Sequence, residues 1–188
     1  MSSTGRERLH HMKSGCSSCT SASVPRRCAI SYDVCHDNFM RITVREMDTK
    51  DRAAWAKVRI ALWPDDTPQA HAEAIDDLLK SDENWGFIAE TPDGEIAGFA
   101  EVAIRKYANG CDTSPVAFLE GIWVKPELRR RGIGASLIGH AESFLVSQGF
   151  RELGSDTHID NRASQDAHLA WGFSETERVV YFRKILKR

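Results

Sequence analysis

The chain has 188 residues, of which 41% are apolar and 28% charged, a mixture typical of one globular domain with an extra segment. Its formal net charge of −2 argues against nucleic-acid binding, which needs a basic surface, and is compatible with a cationic small-molecule substrate. No apolar run approaches the roughly 20 residues of a membrane-spanning helix, and the N-terminus lacks the apolar stretch of a secretory signal. A cytoplasmic protein without membrane association is therefore expected.

The first 39 residues form a Ser-rich segment that holds four of the five cysteines. The candidate metal ligands in it are Cys16, Cys19, Cys28, Cys35 and His36. Cys16 and Cys19 have the spacing of half a zinc site, but the second pair is widely spaced and no strand or knuckle pattern surrounds it. The segment 1–39 is therefore predicted to be a disordered leader, translated from an upstream start codon, and the folded domain to span 40–188.

From Met40 onward, hydrophobic periodicity predicts the order β-α-α-β-β-β-α-β-α-β, a mixed α/β domain with one core. A short strand precedes a helix that Asp48-Thr49 can cap and that stops at Trp63-Pro64, and Thr67-Pro68 marks the start of a second helix. The later strands are predicted at 85–90, 95–106, 116–124, 153–156 and 178–185. The later helices are predicted to begin after Gly132 and to span 161–171.

A glycine-containing arginine loop lies between the almost continuously apolar strand 116–124 and an amphipathic helix. Its residues are Arg129, Arg130, Arg131, Gly132, Ile133, Gly134 and Ala135. Glycines let the backbone approach a ligand closely, the helix N-terminus adds partial positive charge, and the arginines add full charges. The pattern predicts a cradle for the pyrophosphate of a nucleotide cofactor, with a solvated basic helix start as the alternative. The Gly-Lys-Ser/Thr of P-loop kinases and the Gly-x-Gly-x-x-Gly of Rossmann domains are absent.

Two flanking segments extend this loop into a pattern that resembles the GNAT superfamily of N-acetyltransferases. They are Glu120-Gly121-Ile122-Trp123-Val124-x-Pro126 upstream and Asn161-x-x-Ser164-x-x-x-His168-x-x-x-Gly172-Phe173 downstream. The resemblance covers residues 40–188 in order. It implies a GNAT fold, a mixed and splayed central sheet flanked by helices, with acetyl-CoA wedged where two strands part. The cofactor contacts that it implies are the backbone of Ile122, Trp123 and Val124, the loop 129–135, and Asn161.

Further short matches look like one branch of the aminoglycoside 6'-N-acetyltransferases. They are Leu62-Trp63-Pro64, residues 109–115, 118–121, 155–157 and 175–179. This resemblance implies acetyl transfer from acetyl-CoA to the 6'-amino group in a ternary complex, antibiotic resistance, and a homodimer with an interface around residues 179–185. The substrate-binding residues that it implies are Trp63, Asp66, Tyr107, Glu120, Asp156 and Glu177. Carboxylates in this set suit a polycationic antibiotic.

Glu120 is the predicted general base, because a neutral amine must attack the thioester and a carboxylate can accept its proton directly or through water. A capped or paired strand residue is the structural alternative for Glu120. Asp156 is an alternative base or a partner, and a turn or capping role is the structural alternative for it. His168 occupies the position where many superfamily members have a tyrosine that protonates the leaving thiolate. It could do the same or be a packing residue, and Tyr181 offers no better claim.

Two other functions fit the same cofactor loop: a GNAT enzyme for another amine, and a non-catalytic module that binds acetyl-CoA as a regulatory ligand. Intact Glu120 and Asp156 favour an enzyme over the module. Cys111 as an acyl-carrying nucleophile is disfavoured because no base adjoins it in the sequence. His71, His140 and His158 show no metal-ligand spacing, so no catalytic metal is expected.

Overall fold

The computed structural model describes residues 41–186, and a single five-stranded sheet organises them. The strands are β1 Thr43–Glu46, β2 Asn84–Glu90, β3 Ile96–Arg105, β4 Val116–Val124 and β5 Leu153–Ser155. They lie side by side in chain order; β1 to β4 are antiparallel neighbours, and β5 is parallel to β4. The helices are α1 Arg52–Arg59, α2 Pro68–Lys80, α3 Ile133–Ser147 and α4 Arg162–Ala170. The predicted mixed α/β fold is confirmed.

The first two helices begin where the sequence places capping residues. A short 3-10 turn, Thr49–Asp51, leads into α1, and Asp48 and Asp51 cap it reciprocally. The Thr67 hydroxyl accepts a hydrogen bond from the Ala70 amide at 3.1 Å, and Pro68 takes the first position of α2, where its missing N–H costs no hydrogen bond. These local contacts explain why the sequence predicts both helix starts.

Helices cover both faces of the sheet. On one face, Phe87 and Ala100 of the sheet pack with Leu137 of α3; on the other, Ile88 packs with Trp55 of α1 and Ile75 of α2. All six side chains have 0% of their surface exposed. Because successive strand residues point to opposite faces, the neighbours Phe87 and Ile88 enter different layers of the core.

The predicted last strand, 178–185, is wrong. Residues 174–186 have no regular secondary structure, and Val180, Tyr181 and Phe182 are 77%, 76% and 93% exposed. A strand is defined by hydrogen bonds to a neighbour, and no other described residues pair with this segment. Alternating apolar residues therefore indicate a strand only where the fold supplies a partner edge.

The sheet splays between β4 and β5. The two strands pair only through Ala117–Leu153, Phe118–Gly154 and Leu119–Ser155. Beyond Leu119, β4 continues to Val124, paired with β3 but with no strand on its other side among the described residues. This confirms the predicted splay and leaves an open edge of β4.

No helix within residues 41–186 is long and apolar enough to cross a membrane. The segment 1–39, with its candidate cysteine ligands, lies outside the described residues, so its predicted disorder stays a prediction.

Candidate active site

Glu120 is the extra residue of a β-bulge in β4. Glu101 of β3 pairs with Gly121 and Val102 pairs with Leu119, so Glu120 has no opposite residue. A bulge re-aims the side chain of the inserted residue. The Glu120 side chain is 33% exposed, whereas Leu119 beside it is 3% exposed. The bulge therefore presents the predicted base at the point where β4 and β5 part.

Arg105 forms a two-pronged ion pair with Glu120. Its Nε and Nη2 donate to the two carboxylate oxygens at 2.8 and 2.6 Å, and its guanidinium lies 3.5 Å from the ring centroid of Phe118. The hydrogen bond to Glu120 is the main cause that raises the pKa of Arg105 above its ordinary value. Sequence reasoning missed Arg105, because the contact depends on the bulge and on the reach of a long side chain across two strands.

Asp156 lies next to this pair. Leu119 is paired with Ser155, so Glu120 and Asp156 are the next residues on adjacent parallel strands. The charge of Asp156 also helps raise the pKa of Arg105. The structure therefore brings the two predicted catalytic carboxylates together with an arginine that the sequence did not single out.

His168 uses both ring nitrogens to join α4 to β5. Nδ1 lies 2.7 Å from the Ser164 carbonyl oxygen, which only accepts, so Nδ1 donates to it, and Nε2 shares a hydrogen bond of 2.9 Å with the Ser155 hydroxyl. The ring also packs on Trp171 and Phe173, with centroids 5.3 and 5.1 Å apart. His168 thus has a packing role in the structure, and its predicted acid role stays a prediction that would act through Ser155.

The arginine loop presents an uncapped helix N-terminus. Gly132 is the N-cap of α3 in the left-handed region, with φ of 81°, and no side chain caps the first turn. Arg130 also has a positive φ, 61°, and Arg129 closes the loop on β4 by donating from Nε to the Val124 carbonyl at 3.0 Å. Residues 129–132 are exposed. Free N–H groups beside three arginines suit the pyrophosphate of acetyl-CoA, so these residues fit the predicted cofactor.

The second glycine of the loop has a packing reason of its own. A Cβ on Gly134 would lie 2.6 Å from Cζ2 of Trp171, which follows α4 directly. A real Cβ does not tolerate that distance, so Gly134 lets the indole approach α3. Of the two glycines, only Gly132 has a backbone conformation that demands glycine.

The other predicted cofactor residues lie around the open edge of β4. Ile122, Trp123 and Val124 are half-buried and pair with β3 on one side only. The Asn161 side chain accepts from the Ser164 amide at 3.1 Å and so caps α4. Its predicted cofactor contact would have to be made together with this capping bond.

Trp63, a predicted substrate residue, lies beside the bulge. A Cβ on Gly121 would lie 2.5 Å from the Trp63 ring, so the indole covers the backbone next to Glu120. The Arg59 guanidinium lies 4.4 Å from the ring centroid of Trp63. Trp63 is therefore fixed between α1 and β4.

The remaining predicted substrate residues lie on exposed segments. Asp66 follows Trp63 in a turn, and the 71%-exposed Tyr107 donates from its hydroxyl to Asn109 at 2.6 Å. Glu177 lies in the segment 174–186, in which Thr176 packs against Gly110. The structure thus shows no bond between these three residues and Glu120, and their predicted roles stay predictions.

A buried polar network contacts Trp63 through Arg59. Arg59 donates to both oxygens of Glu101, at 2.8 and 3.2 Å, and to Nδ1 of His71 at 3.0 Å, while the Trp55 indole also donates to Glu101 at 3.0 Å. Burial raises the pKa of Glu101, and the bonds from Arg59 and Trp55 oppose that rise. His71 Nε2 has no hydrogen-bond partner among residues 41–186. Sequence reasoning placed these residues on helix or strand faces and did not connect them.

Within residues 41–186, no group of His, Cys, Asp and Glu side chains is arranged to hold a metal ion. Burial raises the pKa of the Cys111 thiol, which lowers the fraction of reactive thiolate near neutral pH. This agrees with the interpretation of Cys111 as a loop residue.

The sequence model of the acetyltransferase (GNAT) family matches residues 52–173, which include β2 to β5, the arginine loop and α4. The chain belongs to the GNAT family of acetyltransferases. Its mixed, splayed sheet flanked by helices is thus the fold of that family.

Relatives with a stated activity are similar over almost their whole length. An aminoglycoside N(6')-acetyltransferase type 1 from Serratia marcescens is 46% identical over 146 residues, which are 77% of this chain and 99% of the relative. Another from Klebsiella aerogenes is 45% identical, over 76% of this chain and 96% of the relative.

Solved structures agree in fold. AAC(6')-Iy in complex with the bisubstrate analogue CoA-S-monomethyl-acetylneamine is 42% identical with a TM-score of 0.74, and the match covers 77% of this chain and 99% of that one. The aminoglycoside 6'-N-acetyltransferase AAC(6')-Ih from Acinetobacter baumannii is 37% identical with the same TM-score, over 78% and 99%.

Proposed function

We infer that this GNAT enzyme transfers the acetyl group of acetyl-CoA to the 6'-amino group of aminoglycoside antibiotics. The observation that carries the inference is 46% identity to an aminoglycoside N(6')-acetyltransferase across 99% of that relative. The geometry supports it, because Glu120 and Asp156 directly follow Leu119 and Ser155, the last paired residues of β4 and β5, where the sheet splays. Carboxylates at this point suit a polycationic acceptor better than an apolar one.

Acetyl-CoA supplies the activated thioester when it is bound. We propose that the uncapped first turn of α3 and Arg129, Arg130 and Arg131 hold its pyrophosphate, supported by the left-handed N-cap at Gly132. The backbone of residues 122–124 is proposed to pair with the extended arm, because no strand among the described residues pairs with this edge of β4.

Glu120 is proposed to accept the proton of the attacking amine, directly or through water, with Asp156 as its partner. Trp63 is proposed to pack on the sugar rings, since its indole covers the backbone of Gly121 beside Glu120. Acetylation converts a cationic ammonium into a neutral amide, which removes a charge that aminoglycosides use to bind RNA phosphates. Antibiotic resistance follows from that loss.

The test is thiol release from acetyl-CoA with a panel of acceptors: kanamycin, tobramycin, a polyamine and a peptide with a free N-terminus. Turnover of kanamycin and tobramycin, with the product acetylated at the 6' position, is expected, as is raised kanamycin resistance in bacteria that express the chain. Turnover of the peptide or polyamine alone would identify a GNAT enzyme for another amine. Binding of acetyl-CoA without turnover of any acceptor would identify a regulatory module.

We also propose a homodimer. The support is a contiguous exposed apolar segment, in which Val180, Phe182 and Ile185 are 77%, 93% and 79% exposed. Unpartnered apolar patches of this kind mark protein interfaces. Light scattering should give twice the chain mass, and Phe182→Ser should lower it; a monomeric wild type at every concentration would refute the dimer.

We place the enzyme in the cytoplasm, where acetyl-CoA is available. Cell fractionation followed by the thiol-release assay tests this, and activity confined to another fraction would contradict it.

A further inference from the structure

Arg105 places a cation where the proposed function needs the acceptor's ammonium group. Its guanidinium holds both oxygens of Glu120 at 2.8 and 2.6 Å. Each oxygen that accepts from Arg105 has less capacity to accept from an amine, and a positive charge beside the carboxylate repels a second one. The base predicted from the sequence is thus already engaged before an acceptor arrives.

The contact is one that an acceptor can displace. The Arg105 and Glu120 side chains are 38% and 33% exposed, so water screens their attraction. Their neighbourhood offers the guanidinium other interactions, because it lies 3.5 Å from the centroid of the Phe118 ring and within the field of Asp156. Releasing Glu120 therefore does not leave Arg105 without a partner.

We propose that Arg105 competes with the acceptor's 6'-ammonium group for the Glu120 carboxylate. Arg105 must release Glu120 to that ammonium group before the amine can be deprotonated. This inference rests on the proposed function, since it needs an ammonium group at Glu120. It makes Arg105 a specificity-determining residue: an acceptor that brings no cation to Glu120 leaves the ion pair in place.

The experiment compares Arg105→Gln with Arg52→Gln. Arg52 forms the same two-pronged pair with Asp76, at 2.6 and 2.8 Å, with side chains 46% and 38% exposed, but it joins α1 to α2 away from β4. Both variants remove one positive charge, so a difference between them cannot come from the change in the protein's net charge. Titration calorimetry with kanamycin in the presence of CoA, which permits no turnover, measures acceptor binding directly.

We expect Arg105→Gln to tighten kanamycin binding about two- to fivefold, the range that corresponds to a screened ion pair, and Arg52→Gln to leave it unchanged. The affinity for paromomycin, which has a hydroxyl at the 6' position, should increase less than the affinity for kanamycin. In a Glu120→Gln background, the effect of Arg105→Gln should disappear, because the carboxylate at position 120, for which Arg105 and the acceptor compete, is gone. Arg105→Lys, which keeps the charge but not the two-pronged bond, should fall between wild type and Arg105→Gln.

Unchanged or weaker kanamycin binding in both Arg105 variants would overturn the proposal, as would an equal gain for paromomycin. These outcomes differ from failure of the proposed function. If the wild type does not acetylate kanamycin, the proposed function is wrong, whatever the Arg105 variants show. If the wild type acetylates kanamycin but Arg105→Gln binds kanamycin no more tightly, only the proposed competition by Arg105 is wrong. Calorimetry at two salt concentrations adds a check, because the gain should shrink as salt screens the pair.

Discussion

At the scale of single residues, one inserted position in β4 decides the geometry of the site. Glu120 would alternate with its neighbours in a regular strand, but the register shift between Glu101 and Val102 leaves it unpaired and exposed. The same shift brings it within reach of Arg105. The sequence predicts the Glu120 carboxylate and its strand, whereas the register of β3 and β4 decides which side chains the carboxylate contacts.

Glu120→Gln tests the base. We expect kcat/KM for kanamycin to fall about a hundred- to ten-thousandfold, because an amide cannot accept the amine proton. The thermal unfolding temperature should change little, since the side chain is partly exposed. Glu142→Gln, at an exposed carboxylate on α3, is the matched control and should keep wild-type kinetics. An equal loss of kcat/KM in both variants would contradict the assignment of Glu120 as the general base.

The buried pair beneath Trp63 predicts a large stability effect. Arg59 and Glu101 side chains are 13% and 5% exposed, and Arg59→Met would leave Glu101 buried without its cation. We expect the free energy of unfolding to fall by about 3 kcal/mol, the low end for breaking a buried pair. Arg52→Met, which breaks an exposed pair, should cost much less. Urea unfolding measures both, and similar costs would contradict the interpretation of a buried network.

At the scale of secondary-structure elements, turn and capping residues predicted most boundaries of helices and strands. The prediction of the last strand was wrong, because no described strand pairs with that segment. Asp48 and Thr67 cap their helices as the sequence indicates, because a cap depends on neighbours within three residues. The segment 174–186 has strand-like alternation but no paired edge among the described residues. Local signals therefore predicted local structure and did not predict pairing.

The helix α3 contains two glycines that should respond in opposite ways. Gly134→Ala puts a methyl group against the Trp171 ring and should destabilise the fold by about 1–3 kcal/mol. Gly139→Ala meets nothing within 4 Å and should stabilise it by up to about 1 kcal/mol through higher helix propensity. Thermal unfolding compares the two variants. If Gly134→Ala is as stable as Gly139→Ala, the indole does not pack there.

The loop between β3 and β4 should loosen in acid. Hydrogen bonds from the Thr113 side chain and from the Asp112 and Thr113 amides lower the pKa of Glu152 beneath its ordinary value of 4.5. A lowered folded-state pKa means that the stabilisation is present above 4.5 and is lost as pH falls through the folded value. The stability difference between wild type and Glu152→Gln should therefore be constant near neutral pH and shrink in acid. Unfolding curves at several pH values measure it, and a difference that persists in acid would contradict this role.

At the scale of the whole molecule, the domain boundary is open to a direct test. The Serratia relative aligns over 146 residues that cover 99% of its own length, which leaves an extra segment in this chain. A variant that starts at Met40 should therefore keep the turnover number and unfolding temperature of the full chain. Loss of activity, or zinc-dependent stability of the full chain alone, would show that residues 1–39 belong to the working enzyme.

The sequence by itself determined the class of fold, the position of the glycine-containing arginine loop and the family, because periodicity and short motifs along the chain encode them. It also identified Glu120 and Asp156 as candidates, and the pairing of Leu119 with Ser155 brings them to adjacent positions. Only the tertiary structure decided that Arg105 holds Glu120, that Arg59 and Glu101 support Trp63, and that Gly134 accommodates Trp171. These contacts join residues far apart in sequence, and they depend on strand register and side-chain reach, which no local pattern specifies.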